Sequence, residues 1–146
     1  MSVINTISQT ASNDVKVERA IKGMLIVPAI IIVFHLLIVA GIIPYTIVWG
    51  GRLNSTAEML QFEAISIGIN LMVLAVFAAE GGWIRKLLPH NLKAVLLWGL
   101  FGLFVANTVA NLFSVTSFEK IVFTPITFLF AHWTYRVIQH RQQISS

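Results

Sequence analysis

Four long apolar tracts, separated by short polar segments, dominate the pattern of this chain. No charged residue occurs from Gly23 to Gly51, and three later tracts are nearly as apolar. A helix that crosses about 30 Å of hydrocarbon needs about 20 mostly apolar residues, because each residue advances the axis by about 1.5 Å. The pattern therefore predicts an all-α fold, a four-helix antiparallel transmembrane bundle. Its predicted spans cover residues 24–44, 59–79, 94–114 and 121–139.

Local signals for helix starts and ends support these limits. Ser55–Glu58 and Thr116–Glu119 both match the capping box, in which a hydroxyl and a carboxylate satisfy the free amides of a first helical turn. Pro44 is expected to end the first helix, and Pro125 to kink the fourth. This interpretation divides the chain into an N-terminal cytoplasmic segment (1–22), a transmembrane domain (23–142) and a short C-terminal tail (143–146).

The distribution of basic residues predicts the orientation in the membrane, because cytoplasmic loops carry an excess of Lys and Arg. Eight of the ten basic residues fall on one side of the predicted topology. They are Lys16, Arg19, Lys22, Arg85, Lys86, Lys93, Arg136 and Arg141. Only Arg52 and Lys120 fall on the other side. Both ends of the chain are therefore predicted to be cytoplasmic.

Composition narrows the class of protein further. Of the 146 residues, 57% are hydrophobic and 11% are charged, whereas a soluble domain usually has about 25% charged residues. This balance excludes a soluble enzyme, a disordered regulator and a nucleic-acid-binding protein. The absence of cysteine excludes disulfides and thiol chemistry. The expected partners are the lipid bilayer and either further copies of the chain or another membrane protein.

Three predicted spans carry a polar side chain near the middle of the bilayer. His35, Asn70 and His132 fall at almost the same depth, and Asn107 lies about 4 to 5 Å further out at 1.5 Å per residue. Ionisable groups at this depth are functional candidates by default. The two histidines have three interpretations: hydrogen bonds between helices, a proton or substrate path, or axial ligation of a b-type haem. We expect no metal site and, haem aside, no cofactor.

A polar stripe is predicted on the second helix, where Glu63, Ser66 and Asn70 are spaced at i, i+3 and i+7. If the stripe faces the bundle interior, Glu63 is a candidate proton donor or acceptor; alternatively, its carboxylate reaches the interface. Asn107 and Asn111 share a face near the outer end of the third helix. These groups predict a polar pocket in the outer half of the bundle, although Asn70 and Asn107 also suit plain contacts between helices.

The outer loop around Trp49 is the most distinctive short segment. Gly50 and Gly51 permit a turn whose amides can bind an anion, and Arg52 suits a lipid phosphate or a carboxylate. The alternative is a plain interfacial turn, anchored by Trp49 and held by Arg52 against lipid headgroups.

Several segments together resemble a group of small four-helix bacterial integral membrane proteins with a Trp-Gly-Gly-Arg-Leu outer loop. The resemblance covers residues 41–127, and its segments are Ile43–Tyr45, Trp49–Leu53, Phe62–Glu63, Asn70, Asn107–Thr108, Asn111–Phe113 and Glu119–Lys120. It implies a bacterial cytoplasmic membrane as the location and implies no activity.

The sequence favours a non-enzymatic membrane subunit or ligand-binding protein, because spacing alone assembles no catalytic motif. A proton-linked small transporter or an oligomeric channel would use Glu63 and the histidines. A membrane enzyme acting on a lipid or isoprenoid would use Glu63 as acid or base and Arg52 for the headgroup. Electron transfer through haem would use His35 and His132.

Overall fold

The computed structural model of the protein describes residues 2–84 and 88–145, and these residues contain four long helices and no strand. The helices are α1 (Ser2–Val39), α2 (Thr56–Glu80), α3 (His90–Leu112) and α4 (Thr124–Ser145). All four are long and apolar enough to cross a membrane. The all-α, four-helix prediction is confirmed. Arg85 and Lys86, two of the basic residues that predict the orientation, lie outside the described residues, as do Met1, Leu87 and Ser146.

The first helix ends at Val39, five residues before Pro44, so the prediction that Pro44 ends it was wrong. Gly41 adopts a φ of 74°, in the left-handed region that glycine enters without steric penalty. The amide of Gly41 donates to Ile38 and that of Ile42 donates to Leu37, at 2.9 and 3.0 Å. This is a Schellman motif, which satisfies the last helical carbonyls before the chain turns away. Pro44 instead precedes a 3₁₀ turn at Tyr45–Ile47.

The two predicted capping boxes form different structures. Ser55 caps α2 as predicted: its hydroxyl accepts from the amide of Glu58, whose carboxylate in turn accepts from the amide of Asn54 at 2.9 Å. At the second box, Thr116 donates its hydroxyl to the carboxylate of Glu119 at 3.0 Å. Glu119 is therefore a buried hydrogen-bond acceptor and not a cap.

A π-helical turn over Glu119–Phe123 leads directly into α4. It lies just before Pro125, which has no amide hydrogen to donate to the preceding turn. Within the wide turn the amide of Thr124 donates to Glu119, one residue further back than in an α-helix. The backbone is therefore irregular just before Pro125, and the kink expected at Pro125 stays a prediction.

The helices do not pack equally against one another. α1 packs along α2 and α4, and α3 packs along α4, whereas α2 and α3 make few contacts. At one end of the bundle, Glu80 pairs with Arg141 at 2.5 Å and with Lys93 at 3.6 Å. The other end carries the loop between α1 and α2 and the loop between α3 and α4, and there the helices enclose a cavity.

Candidate functional site

A cavity of about 480 Å³ lies between the helices near the two loops. Its wall is mostly apolar, with Ile31, Ile69, Leu103, Phe104, Phe123 and Phe130 among its residues. The polar side chains in the wall are His35, Arg52, Ser66, Asn70, Asn107, Asn111, Ser114, Glu119 and Thr127, together with Trp49. All four long helices and the Trp49 loop contribute to this cavity. Of the residues of the predicted polar pocket, Arg52, Asn107 and Asn111 line it and Glu63 does not.

Glu63 is the hydrogen-bonding centre behind one wall of this cavity. It is fully buried. Its Oε2 lies 2.5 Å from Nδ1 of His35, and its Oε1 accepts from the indole N–H of Trp49 at 3.2 Å. His35 and Trp49 line the cavity, but Glu63 does not. Glu63 can therefore act on a molecule in the cavity only through these two neighbours.

Local structure brings these three side chains together. Glu63 lies about two turns into α2, after the Ser55 cap, and His35 lies about one turn before the end of α1. Trp49 has a φ of 55°, which bulky residues rarely adopt. Its hydrogen bond to Glu63 and its ring contact with Phe62, with centroids 4.7 Å apart, hold it in this conformation. The strained loop conformation thus places an indole against the buried carboxylate.

The structure separates one residue of the polar stripe predicted on α2 from the other two. Ser66 and Asn70 line the cavity, while Glu63 points behind it. The side-chain amide of Asn70 donates to the backbone carbonyl of Ser66 at 2.8 Å, within the same helix. Asn70 therefore makes no side-chain hydrogen bond to another helix among the described residues.

The two predicted asparagines of α3 both line the cavity. The amide of Asn111 donates to the hydroxyl of Thr127 on α4, at a long 3.5 Å. Asn107 is exposed and has no hydrogen-bond partner among the residues that the structure describes. One of the two therefore joins α3 to α4, and the other presents its whole amide group.

Arg52 is exposed and lies at the edge of the cavity. Gly50 and Gly51 belong to the 3₁₀ turn Trp49–Gly51. The amide of Gly51 donates to the carbonyl of Val48 at 2.9 Å, and the amide of Arg52 donates to that of Trp49 at 3.3 Å. These two amides are engaged within the loop, whereas the guanidinium of Arg52 lies where a ligand or a headgroup can reach it.

His132 lies away from His35. It is exposed in a second, largely apolar groove of about 350 Å³ between α3 and α4, where its Nε2 accepts from Nε of Arg136 at 3.2 Å. The two imidazoles thus line different cavities, and the structure does not bring them together as a pair of haem ligands. Among the described residues, no group of three or more His, Asp or Glu side chains is arranged to hold a metal ion.

Sequence reasoning missed two parts of the site. Trp49 was interpreted only as an interfacial anchor, although it donates to Glu63. Glu119 was interpreted as a helix cap, but it lines the cavity and accepts from the hydroxyls of Ser114 and Thr116. A Ser, a Thr and a Glu within six residues was the available signal for a local hydrogen-bonded cluster. No signal in the sequence pointed to the contact between Trp49 and Glu63.

Comparison of the chain with protein-family models, with curated proteins and with solved structures gives no match. The chemistry of the cavity is therefore interpreted from its own residues.

Proposed function

We propose that this protein is a non-enzymatic integral membrane protein that binds one small amphipathic molecule in the cavity. In this proposal the four helices cross a bacterial cytoplasmic membrane in antiparallel order, with both ends of the chain in the cytoplasm. The cavity then lies in the outer half of the bilayer, below the Trp49 loop.

The mixed wall of the cavity carries this proposal. Ligand sites in proteins usually have volumes of about 300 to 1,000 Å³ and apolar walls with a few convergent polar groups. The cavity has about 480 Å³, with aliphatic and phenyl side chains around a smaller set of polar ones. Such a wall matches a ligand with an apolar body and one polar end.

The arrangement of charges supports the proposed orientation. Lys93 and Arg141 meet at Glu80, at one end of the bundle. Arg52 lies at the opposite end, beside the cavity. The positive-inside rule assigns the end with more basic residues to the cytoplasm. Reporter tags at the two ends of the chain should both be protected from an external protease in right-side-out membrane vesicles. Cleavage of either tag would contradict this orientation.

Mass spectrometry of molecules that co-purify with the protein tests the binding function. We expect one species to be enriched over the bulk lipid. Ala110 lines the cavity, and Ala106, one turn away on the same helix, is exposed outside it. Ala110→Phe should therefore lose the enriched species, whereas the matched variant Ala106→Phe should retain it. No enriched species, or equal retention in both variants, would contradict the proposal.

Proton-linked transport is the second candidate function, favoured by the close pair of His35 and Glu63 beside the cavity. A buried pair of this kind can take up and release a proton as a ligand enters and leaves. Proton flux in proteoliposomes that requires a substrate gradient and stops in Glu63→Gln would support it. Flux that is unchanged in Glu63→Gln would exclude this path.

A further inference from the structure

Several side chains of the cavity wall can both donate and accept a hydrogen bond. Asn70 donates its amide N–H to the Ser66 carbonyl, a group that can only accept. The oxygen of the Asn70 side chain has no donor among the described residues. An amide oxygen at the wall can only accept a hydrogen bond. Asn70 therefore offers a ligand this acceptor, together with the second N–H of its amide.

Asn111 leaves the same hydrogen-bonding groups for a ligand as Asn70. Its amide N–H donates to the hydroxyl of Thr127, while that hydroxyl donates to the backbone carbonyl of Phe123 at 2.8 Å. The side-chain oxygen of Asn111 is left without a donor in the part of the chain that the structure describes. A second acceptor thus belongs to the wall, contributed by a different helix.

Glu63 engages two neighbours that line the cavity. The indole N–H of Trp49 is donated to its carboxylate, so this N–H is not available to a ligand. Nδ1 of His35 contacts the same carboxylate, so Nε2 is the imidazole nitrogen that remains for a ligand. Nε2 donates or accepts according to the tautomer of the ring.

The remaining groups of the wall also need a ligand that can accept. The guanidinium of Arg52 only donates, whereas the amide of Asn107 and the hydroxyl of Ser66 do both. A hydroxyl group can donate to the side-chain oxygen of Asn70 or Asn111 and accept from Arg52 or Asn107. A carboxylate or phosphate only accepts, and an ammonium only donates. From this balance we infer that the cavity binds an amphipathic alcohol, a neutral molecule with an apolar chain and a hydroxyl end. The inference rests on the proposed binding function and names its ligand class.

Four probes with the same ten-carbon chain separate the alternatives: 1-decanol, its methyl ether, decanoate and decylamine. Their apparent Kd values would be measured from the ligand-induced shift of thermal unfolding in one detergent at constant concentration. We expect decanol to bind about three- to tenfold more tightly than the ether, the range expected for one net hydrogen bond. Decanoate and decylamine should both bind more weakly than decanol. Equal binding of the ether, or tighter binding of either charged probe, would overturn the inference.

Variants connect the preference to the cavity wall. Asn70→Leu, which removes one acceptor, should reduce the preference for decanol over its ether. Thr134→Val is the matched control, because the Thr134 hydroxyl donates to the carbonyl of Phe130 in its own helix at 2.7 Å and does not line the cavity. The control should leave the preference unchanged. An unchanged preference in Asn70→Leu, or an equal loss in the control, would contradict the assignment of Asn70.

Ala110→Phe distinguishes failure of this inference from failure of the proposed function. If the cavity is the binding site, this variant should weaken the binding of all four probes. If the probes bind less tightly to Ala110→Phe but show no preference for decanol, the inference that the ligand is an alcohol is overturned. The proposed binding function then remains supported. Probes that bind no better to the parent protein than to Ala110→Phe would overturn both.

Discussion

Replacing Glu63 with leucine is expected to destabilise the protein more than a change of similar size on its surface. The carboxylate is fully buried, and it accepts from His35 at 2.5 Å and from Trp49 at 3.2 Å. Glu63→Leu leaves an imidazole and an indole N–H without their acceptor. Removing one partner of a buried, charge-assisted pair costs about 3 to 5 kcal/mol. We therefore expect the free energy of unfolding to fall by about this amount.

A second replacement shows how much of that loss is due to the pair. In Glu63→Leu/His35→Leu the imidazole is removed as well, so only the indole N–H remains without an acceptor. An unsatisfied buried polar group costs about 1 to 3 kcal/mol, and the double variant should recover about that much relative to Glu63→Leu. His35→Leu alone should be strongly destabilised, because it leaves a buried carboxylate whose other described donor is Trp49.

Equilibrium unfolding in mixed micelles, followed by far-UV circular dichroism, measures these four free energies. Glu18→Leu is the exposed control: the side chain is 63% exposed and pairs with Lys22 four residues later. Its effect should be within about 0.5 kcal/mol, as is usual for surface pairs. If the losses of Glu63→Leu and His35→Leu simply add in the double variant, the two side chains do not interact and the reasoning is refuted.

Three further changes test the packing of the bundle, each by thermal unfolding of the purified variant. Gly41→Ala should lower stability by about 1 to 2 kcal/mol, because alanine disfavours a positive φ although the space around Gly41 is open. Gly23→Ala should cost about 1 to 3 kcal/mol, since its Cβ would lie 2.5 Å from the ring of Trp133 and must displace it. Glu80→Gln should cost about 1 to 3 kcal/mol through the loss of the charged acceptor of Arg141.

Gly102→Ala is the common control for the glycine variants. Gly102 lies inside α3, and a Cβ added there meets nothing within 4 Å. Alanine should therefore stabilise this helix by about 0.5 to 1 kcal/mol. A similar loss at Gly102 and Gly41 would show that the left-handed conformation of Gly41 does not matter. If Gly23→Ala leaves the stability unchanged, Trp133 moves away easily. If Glu80→Gln leaves the stability unchanged, the ion pair is solvated.

The helices could be predicted from the sequence because their signals are local. An apolar tract of about 20 residues is enough to indicate a span, and Ser55 with Glu58 is enough to indicate where α2 begins. The end of α1 also had a local signal, Gly41, since glycine is the usual residue just after a helix. Pro44 was the more conspicuous residue, but it lies beyond the residue that actually ends the helix.

The rotation of each helix could not be predicted in the same way. These helices are apolar nearly all round, so no polar face fixes which side meets the interior. Glu63, Ser66 and Asn70 were expected to face one space together, yet the structure separates Glu63 from the other two. His35 and His132 were matched in depth, but depth says nothing about direction, and they line different cavities.

The position of the cavity follows from the weak packing between α2 and α3. Helices in a membrane associate through close packing and interhelical hydrogen bonds, and Asn107 on α3 makes no bond to another helix within the described residues. If the wall exists to bind a ligand, Asn107 should reduce the stability of the empty protein. Asn107→Leu should then leave the ligand-free protein unchanged or more stable by up to about 1 kcal/mol, and weaken ligand retention. A destabilised Asn107→Leu variant that retains its ligand would show that this asparagine supports the fold and not the site.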